Sequence, residues 1–331
     1  MAESPKNHQR WVFDSFGKPH DVLEWKTLPL KLLENNQVCV RWLAAPINPA
    51  DLNWVEGTYG SRPELPGAVG IEGCGEVIAS RASYLSEGDR VISLKRADSW
   101  ASHSILPAQN LFRVPREIDA QQASMLKVNP ATAWCLLNHF TTLQSGMTVV
   151  QNAGSSAVAQ CVVQLARAAG IRTISFVRKP ASIQHLTEIR ADHVFLDDEE
   201  GHAAAAKFLT GESAMLAFNA IGGESATRLS QHVGDGGQVI TYGAMARRPL
   251  TISNSMLIFR DIQFRGLWVT RWLAQEPPSR VQEVYELLAE KVRSGNLVQR
   301  IDAVFPLDQL MAALARLNAE DRSGKVLLAA P

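Results

Sequence analysis

Thr148-Val-Val-Gln-Asn-Ala-Gly-Ser-Ser-Ala-Val-Ala-Gln-Cys-Val-Val-Gln-Leu-Ala-Arg-Ala-Ala-Gly170 reads as strand, turn and helix in succession. Thr148 to Gln151 is short, apolar and β-branched, as a strand covered on both faces must be. Asn152 to Ser155 is small and polar, a tight turn. From Ser156 to Ala169, the residues Val158, Cys161, Val162 and Leu165 recur at helical spacing, and Gly170 follows as the C-terminal stop. A helix that starts just after a strand turns its unpaired N–H groups and positive dipole end toward that turn, a setting suited to a pyrophosphate. Of the G-x-G-x-x-G pattern only Gly154 is present, and Ala157 and Ala159 stand where glycines are usual. The turn therefore reads equally as a phosphate cradle or as an ordinary connection.

Reading outward, the same alternation continues. Arg172 to Val177, Val194 to Leu196, Met215 to Phe218 and Gln238 to Tyr242 are further strands with helical stretches between them. Such alternation predicts a doubly wound parallel sheet with helices on both faces. Where an acid would hold a ribose 2′-OH, at the end of strand 172–177, the chain has Arg178 and Lys179. Two cations suit a 2′-phosphate, which favours NADPH over NADH. They equally suit solvated charges at a strand end.

Residues 10–115 have another texture, β-rich, with strands over 37–43, 75–78 and 90–94 and Pro- and Gly-rich loops over 45–75. Gln121 to Phe140 is helical and broken near Asn129-Pro130. Beyond Leu267 come a helix over 280–292, a strand over 303–305, a helix over 307–318 and a strand over 325–328. The expected class is α/β. A β-rich domain of residues 1–125 and 267–331 is discontinuous and flanks a dinucleotide-binding domain of residues 126–266. At roughly 150 residues per domain, 331 residues match about two domains.

Thirty-three basic side chains balance 33 acidic ones, which argues against a nucleic-acid or anionic-membrane binder. Residues 128–166 hold no Asp, Glu, Lys or Arg, but Asn129, Pro130, Asn138 and Gln144 interrupt the run, so a buried core is expected in place of a membrane span. Met1 to Arg10 is polar and mixed in charge, with no apolar signal core, so a cytoplasmic location is expected. Cys39, Cys74, Cys135 and Cys161 are scattered singly, as core-filling thiols are. A catalytic zinc of dehydrogenases would require ligands that this chain lacks. Gly70-Ile-Glu-Gly73 has Ile71 in place of histidine, and Asn48-Pro-Ala-Asp51 has no cysteine, so no metal is expected.

Together these residues resemble a zinc-free branch of the medium-chain dehydrogenase/reductase superfamily, the 2-enoyl thioester reductases of the mitochondrial trans-2-enoyl-CoA/ACP type. The likeness runs from about Ile47 to Lys325. It is carried by Ile47-Asn-Pro-Ala-Asp-Leu-Asn53, Gly57-Thr-Tyr-Gly60, Pro63-Glu-Leu-Pro66, Gly70-Ile-Glu-Gly73, Val128-Asn-Pro-Ala-Thr-Ala133, Thr241-Tyr-Gly-Ala-Met-Ala246, Leu257-Ile-Phe-Arg-Asp261 and Arg265-Gly-Leu-Trp-Val269. It implies a GroES-like catalytic domain beside a Rossmann domain, NADPH as cofactor, an acyl thioester on CoA or ACP as substrate, and a homodimer paired through the last sheet strand near 261–266. It puts the catalytic tyrosine on Tyr59. It puts nicotinamide-side residues on Asn129, Leu267, Trp268 and Val269, and the pyrophosphate turn on Ser155, Ser156, Ala157 and Val158. The 2′-phosphate loop falls on Arg178, Lys179 and Pro180, a cofactor segment on Tyr242, Gly243, Ala244 and Met245, and a late cofactor lysine on Lys325. Departures are the methyl groups of Ala157 and Ala159, which would crowd a pyrophosphate, and Lys179, where the family often has an acid.

Position alone makes Tyr59 a turn residue, Trp268 a core residue, Asp51 a turn former and His139 a core histidine. An NADPH:quinone reductase shares the implied fold and cofactor site, and a non-catalytic NADPH-binding protein is the reading from another class.

Overall fold

The computed structural model describes residues 5–209 and 213–330, which divide into two compact units, Met1–Val128 with Glu276–Pro331 and Asn129–Gln275. In chain order the first unit contributes β1 (Asn7–Phe13), β2 (Glu24–Pro29), β3 (Gln37–Pro46), β4 (Gly67–Ala68), β5 (Cys74–Ser80), β6 (Arg90–Ser93), β7 (His103–Pro107) and β8 (Leu111–Arg113). The second contributes β9 (Thr148–Gln151), β10 (Arg172–Val177), β11 (His193–Leu196), β12 (Ala214–Asn219), β13 (Val233–Thr241) and β14 (Gln263–Gly266). The chain then returns to the first unit as β15 (Ile301–Pro306) and β16 (Lys325–Ala329).

In the first unit the main sheet runs β15-β16-β3-β5-β6-β8, with β7 also on β3, and β1 lies between β2 and β4 in a second sheet. Among the described residues its strand pairs are antiparallel apart from β15–β16, which is parallel. Trp11, Phe13, Val55, Trp100, Leu310 and Leu328 form one of its cores. Several strands here escape sequence patterning. β2 is exposed at alternate places and β8 has three residues, so neither makes an apolar run. The stretch 45–75, read as loops, contains the helix Pro49–Glu56. Pro49 starts it, Asn48 and Asp51 form its capping box, and Gly57 ends it at φ 72°. Asp51 is thus a helix-capping residue, where a turn former was expected.

The second unit is a six-stranded parallel sheet in the order β11-β10-β9-β12-β13-β14. The order reverses between β9 and β12, the place where open α/β sheets gather ligands at their C-terminal strand ends. The quoted stretch forms β9 and the helix Ala157–Ala168, which Ser156 caps through its side chain. Gly170 has φ 70°, and a Cβ there would strike Ser145. Val150, Ile174, Phe176, Ala217 and Val239 lie in the unit's core. The helical stretch 121–140 divides into Ala120–Ser124 and Asn129–Asn138. His139 falls beyond that last helix and is exposed beside Phe140, which corrects its reading as a core residue. All four cysteines are buried, and burial pushes the Cys74 thiol up to about 12. Among the described residues no helix is long and apolar enough to cross a membrane.

Candidate active site

In the second unit, the residues assigned to a dinucleotide lie at the C-terminal ends of four strands. Ser155 to Val158 follow β9, Arg178 to Pro180 follow β10, Tyr242 to Met245 follow β13, and Leu267 to Val269 follow β14. The turn after β9 has Ala153 at φ 49°, and the Gly154 N–H donates to the Phe176 carbonyl at 2.8 Å. A Cβ on Gly154 would meet Val177 Cγ1 and the Phe176 carbonyl oxygen at about 3 Å, so this glycine lets the turn close on β10. The Ser156 hydroxyl accepts from the Ala159 N–H at 3.2 Å, which leaves the N–H groups at the very start of the helix for an anion. Ala159 is fully buried, so its methyl group faces the core and does not crowd a phosphate; Ala157 is half-buried.

The segment after β13 is held in place by its backbone. The N–H groups of Tyr242, Met245 and Ala246 donate to the carbonyls of Asn219, Ala220 and Ile221. A Cβ on Gly243 would meet the Ala220 carbonyl oxygen at 2.9 Å. Burial pushes the Tyr242 phenol well above its ordinary range, and its hydroxyl has no hydrogen-bond partner among the described residues. The Leu267 N–H donates to the Thr241 carbonyl at 2.9 Å, while Trp268 is half-buried and Val269 buried. Arg178, Lys179 and Pro180 are exposed at the end of β10, as a 2′-phosphate contact requires. Asn129 is buried at the start of the helix Asn129–Asn138. These features fit an NADPH-sized dinucleotide: a helix N-terminus, a tight glycine turn, and cations at the second strand end.

Behind that surface, sequence reading missed a network. Asn152 Nδ2 donates to Asn219 Oδ1 and Ser225 Oγ, both at 2.9 Å, and Asn152 Oδ1 accepts from the Ala220 N–H at 2.8 Å. The ends of β9 and β12 are thereby tied together. Ser225 Oγ donates to Asp197 Oδ2 at 2.5 Å, and Asp197 Oδ1 also binds Arg228 and His202, both at 3.0 Å. Burial works to raise the Asp197 pKa, but hydrogen bonds from His202, Ser225 and Arg228 outweigh it and bring it to about 2. His202 stacks on Phe176 and contacts His232, whose pKa burial lowers to about 4.

In the first unit, Tyr59 stands in the turn that ends the helix Pro49–Glu56. The N–H groups of Thr58 and Tyr59 both donate to the Asn53 carbonyl. The phenol ring is half-buried and edge-on to Trp54, with centroids 6.4 Å apart at 72°. Beside that helix lies a second missed feature, a cluster of buried charges. Asp51 accepts from the N–H groups of Ile71 (2.7 Å) and Asn48 (3.0 Å). Glu72 accepts from Asn48 Nδ2 and the Val128 N–H, both at 2.8 Å. Lys127 donates to the carbonyls of Ile71 (2.7 Å) and Lys95 (2.6 Å). Lys325 donates to the Ile47 carbonyl (2.8 Å) and Asn48 Oδ1 (2.6 Å). Burial raises Asp51 and Glu72, lowers Lys127, and brings Lys325 down to about 8. The signal available in sequence was four ionisable residues inside otherwise apolar or Gly-rich stretches, far apart along the chain.

Residues 34–116 match the alcohol dehydrogenase GroES-like domain family, and residues 157–290 match the zinc-binding dehydrogenase family. A GroES-like unit with a Rossmann-type parallel sheet defines a medium-chain dehydrogenase/reductase. The chain is 38% identical over 319 residues to the mitochondrial enoyl-[acyl-carrier-protein] reductase of Rattus norvegicus, covering 94% of this chain and 85% of that protein. It belongs to the family of those enoyl-[acyl-carrier-protein] reductases. The Etr1p complex with NADP and crotonyl-CoA has a TM-score of 0.88 at 27% identity, covering 98% of this chain and 99% of that one. Etr1p is the mitochondrial 2-enoyl thioester reductase of Candida tropicalis, also solved as an Etr1p/Etr2p heterodimer. A chain from Bacillus thuringiensis, provisionally described as an NADPH:quinone reductase, has a TM-score of 0.90 at 25% identity, with 98% and 99% covered.

Proposed function

We propose that this protein uses NADPH to reduce the C2=C3 double bond of a trans-2-enoyl thioester carried on CoA or on an acyl-carrier protein. The observation that carries the reading is the family membership across 94% of the chain, with Tyr59 held in a structured turn. The first-turn N–H groups at Ala157 and Val158, with Ser155 and Ser156, hold the pyrophosphate. Arg178 and Lys179 hold the 2′-phosphate. Asn129, the 242–245 segment, Leu267, Trp268 and Val269 frame the nicotinamide. NADPH, when bound, supplies the hydride that adds at Cβ.

Negative charge then develops on the thioester oxygen. A donor already oriented there stabilises the transition state more than the ground state. Tyr59 is that donor, and it passes its proton to Cα. Two copies of the chain pair through β14. That strand is an open sheet edge, hydrogen-bonded only to β13 among the described residues, and Ile258 and Phe259 just before it are 70% and 80% exposed.

The test is NADPH consumption with crotonyl-CoA beside a simple quinone. The expected result is turnover of the thioester that Tyr59→Phe lowers by about ten-fold or more, with NADPH affinity kept. Arg178→Ala is expected to raise the KM for NADPH far more than that for NADH. Turnover of quinone alone, indifferent to Tyr59, overturns the reading in favour of quinone reduction, which the Bacillus thuringiensis fold match supports. Cofactor binding with no turnover of any enone overturns it in favour of a binding protein.

A further inference from the structure

We propose that Arg96 is a positioning residue for Tyr59, a fixed cation that stabilises the negative charge left on the phenol oxygen as its proton departs. The inference rests on the enoyl reductase reading and on Tyr59 as its donor. Trp54 is the common platform. Its indole is anchored by Nε1 donating to the Ala68 carbonyl at 3.0 Å. The Arg96 guanidinium carbon lies 3.6 Å from the centre of that ring, and Tyr59 packs edge-on to the same indole at 6.4 Å. One rigid aromatic side chain thus carries both the donor and a cation.

Arg96 is held without being neutralised by contact. Its Nη1 is buried with no hydrogen-bond partner among the described residues. The two nearby carboxylates are engaged elsewhere. Asp98 pairs with Arg10 at 3.5 Å, and the Asp51 oxygens take the backbone N–H groups of Asn48 and Ile71. Burial lowers the Arg96 pKa, and the fields of Asp51, Asp98 and Tyr59 draw it back, so the phenol lies within electrostatic reach of the guanidinium. A partly desolvated cation with an orphaned donor costs stability that an apolar side chain on Trp54 would not. Retained beside a proton donor, it has a catalytic use.

The proton step balances as follows. The Tyr59 O–H bond breaks, its proton forms the new C–H bond at Cα with the enolate's electron pair, and the O–H pair stays on the phenol oxygen until water reprotonates it. The Arg96 charge favours that intermediate state and leaves the bound substrate nearly untouched. It therefore acts on kcat more than on KM.

The experiment is a double-mutant cycle with Tyr59→Phe, read as kcat and KM for crotonyl-CoA, with NADPH fluorescence titration and thermal melting of each variant. Arg96→Met keeps Trp54 covered but removes the charge, and Arg96→Lys keeps the charge. The expected result is a kcat about ten-fold lower in Arg96→Met, with KM and NADPH affinity unchanged, and most of the rate kept in Arg96→Lys. In the Tyr59→Phe background, Arg96→Met is expected to add no further loss. Full kcat in Arg96→Met overturns the proposal. So does an equal loss in both backgrounds, or a loss in Arg96→Lys that matches Arg96→Met. Those outcomes leave the Tyr59 reading intact. A Tyr59→Phe variant with full kcat overturns that reading and this proposal together, and is recognised because it shows in the single variant.

Discussion

The two units bury polar groups beside their functional elements in different chemical forms. Next to the helix that leads to Tyr59, the first unit buries Asp51, Glu72, Lys127 and Lys325, each charged side chain tied to backbone or to Asn48. At the ends of β9 and β12, the second unit buries mainly neutral amides and a hydroxyl, Asn152, Asn219 and Ser225. Charges taken from water are costly, and their fields reach well beyond contact distance. Amides are cheaper to bury and act through direction alone. The first arrangement builds an electrostatic setting beside the Tyr59 turn. The second holds a backbone shape steady around the start of the helix Ala157–Ala168.

Breaking the charged network should show the largest effect. Lys127→Met removes one of the two buried lysines that face Glu72 and leaves the carbonyls of Ile71 and Lys95 without their donor. Denaturant unfolding of this variant is expected to show a loss of about 3–5 kcal/mol. A loss as small as that of a neutral amide would erase the distinction between the two networks. Asn152→Ala comes next. It orphans the buried Ala220 N–H, so about 1–3 kcal/mol is expected, together with weaker NADPH binding in fluorescence titration because the turn after β9 loses its anchor.

The smallest effect is in acid, where the second unit's own ionisable groups are exposed as its weak point. His232 has a folded-state pKa of about 4, below the ordinary 6.5, so the unfolded ring takes up a proton that the folded one resists. Its contribution to stability is whole above pH 6.5 and is lost as pH falls toward 4. Asp197, at about 2 against 3.8, contributes above pH 3.8 and loses that contribution as pH falls through 2. Melting temperature is expected to decline from pH 6.5 to 4, and His232→Gln to flatten that decline. A slope unchanged by the substitution would assign the acid weakness to other groups.

Legibility followed burial pattern. The parallel sheet could be read because β9, β10 and β12 are covered on both faces and so spell apolar runs, with Ser156 and Gly170 marking the ends of the helix between β9 and β10. The first unit was harder to read. β2 and β8 are short or half exposed, and the Pro49–Glu56 helix opens with a proline inside a Pro- and Gly-rich stretch. Asp51 looked like a turn residue because its capping contact is local, whereas its bond from the Ile71 N–H is made only when the chain folds back.

Local pattern alone was enough for the alternating β/α half, the helix start after β9, the cations after β10, and the isoleucine at position 71 where a histidine ligand would stand. Each depends on residues adjacent in the chain or on side-chain chemistry that needs no neighbour. Folding alone decided the grouping of Asp51, Glu72, Lys127 and Lys325, the tie of Asn152 to Asn219 and Ser225, and the placement of Arg96 over the Trp54 ring that Tyr59 meets edge-on. Those depend on which distant segments share a desolvated space. A carboxylate or guanidinium reads the same in sequence whether water or a buried partner faces it.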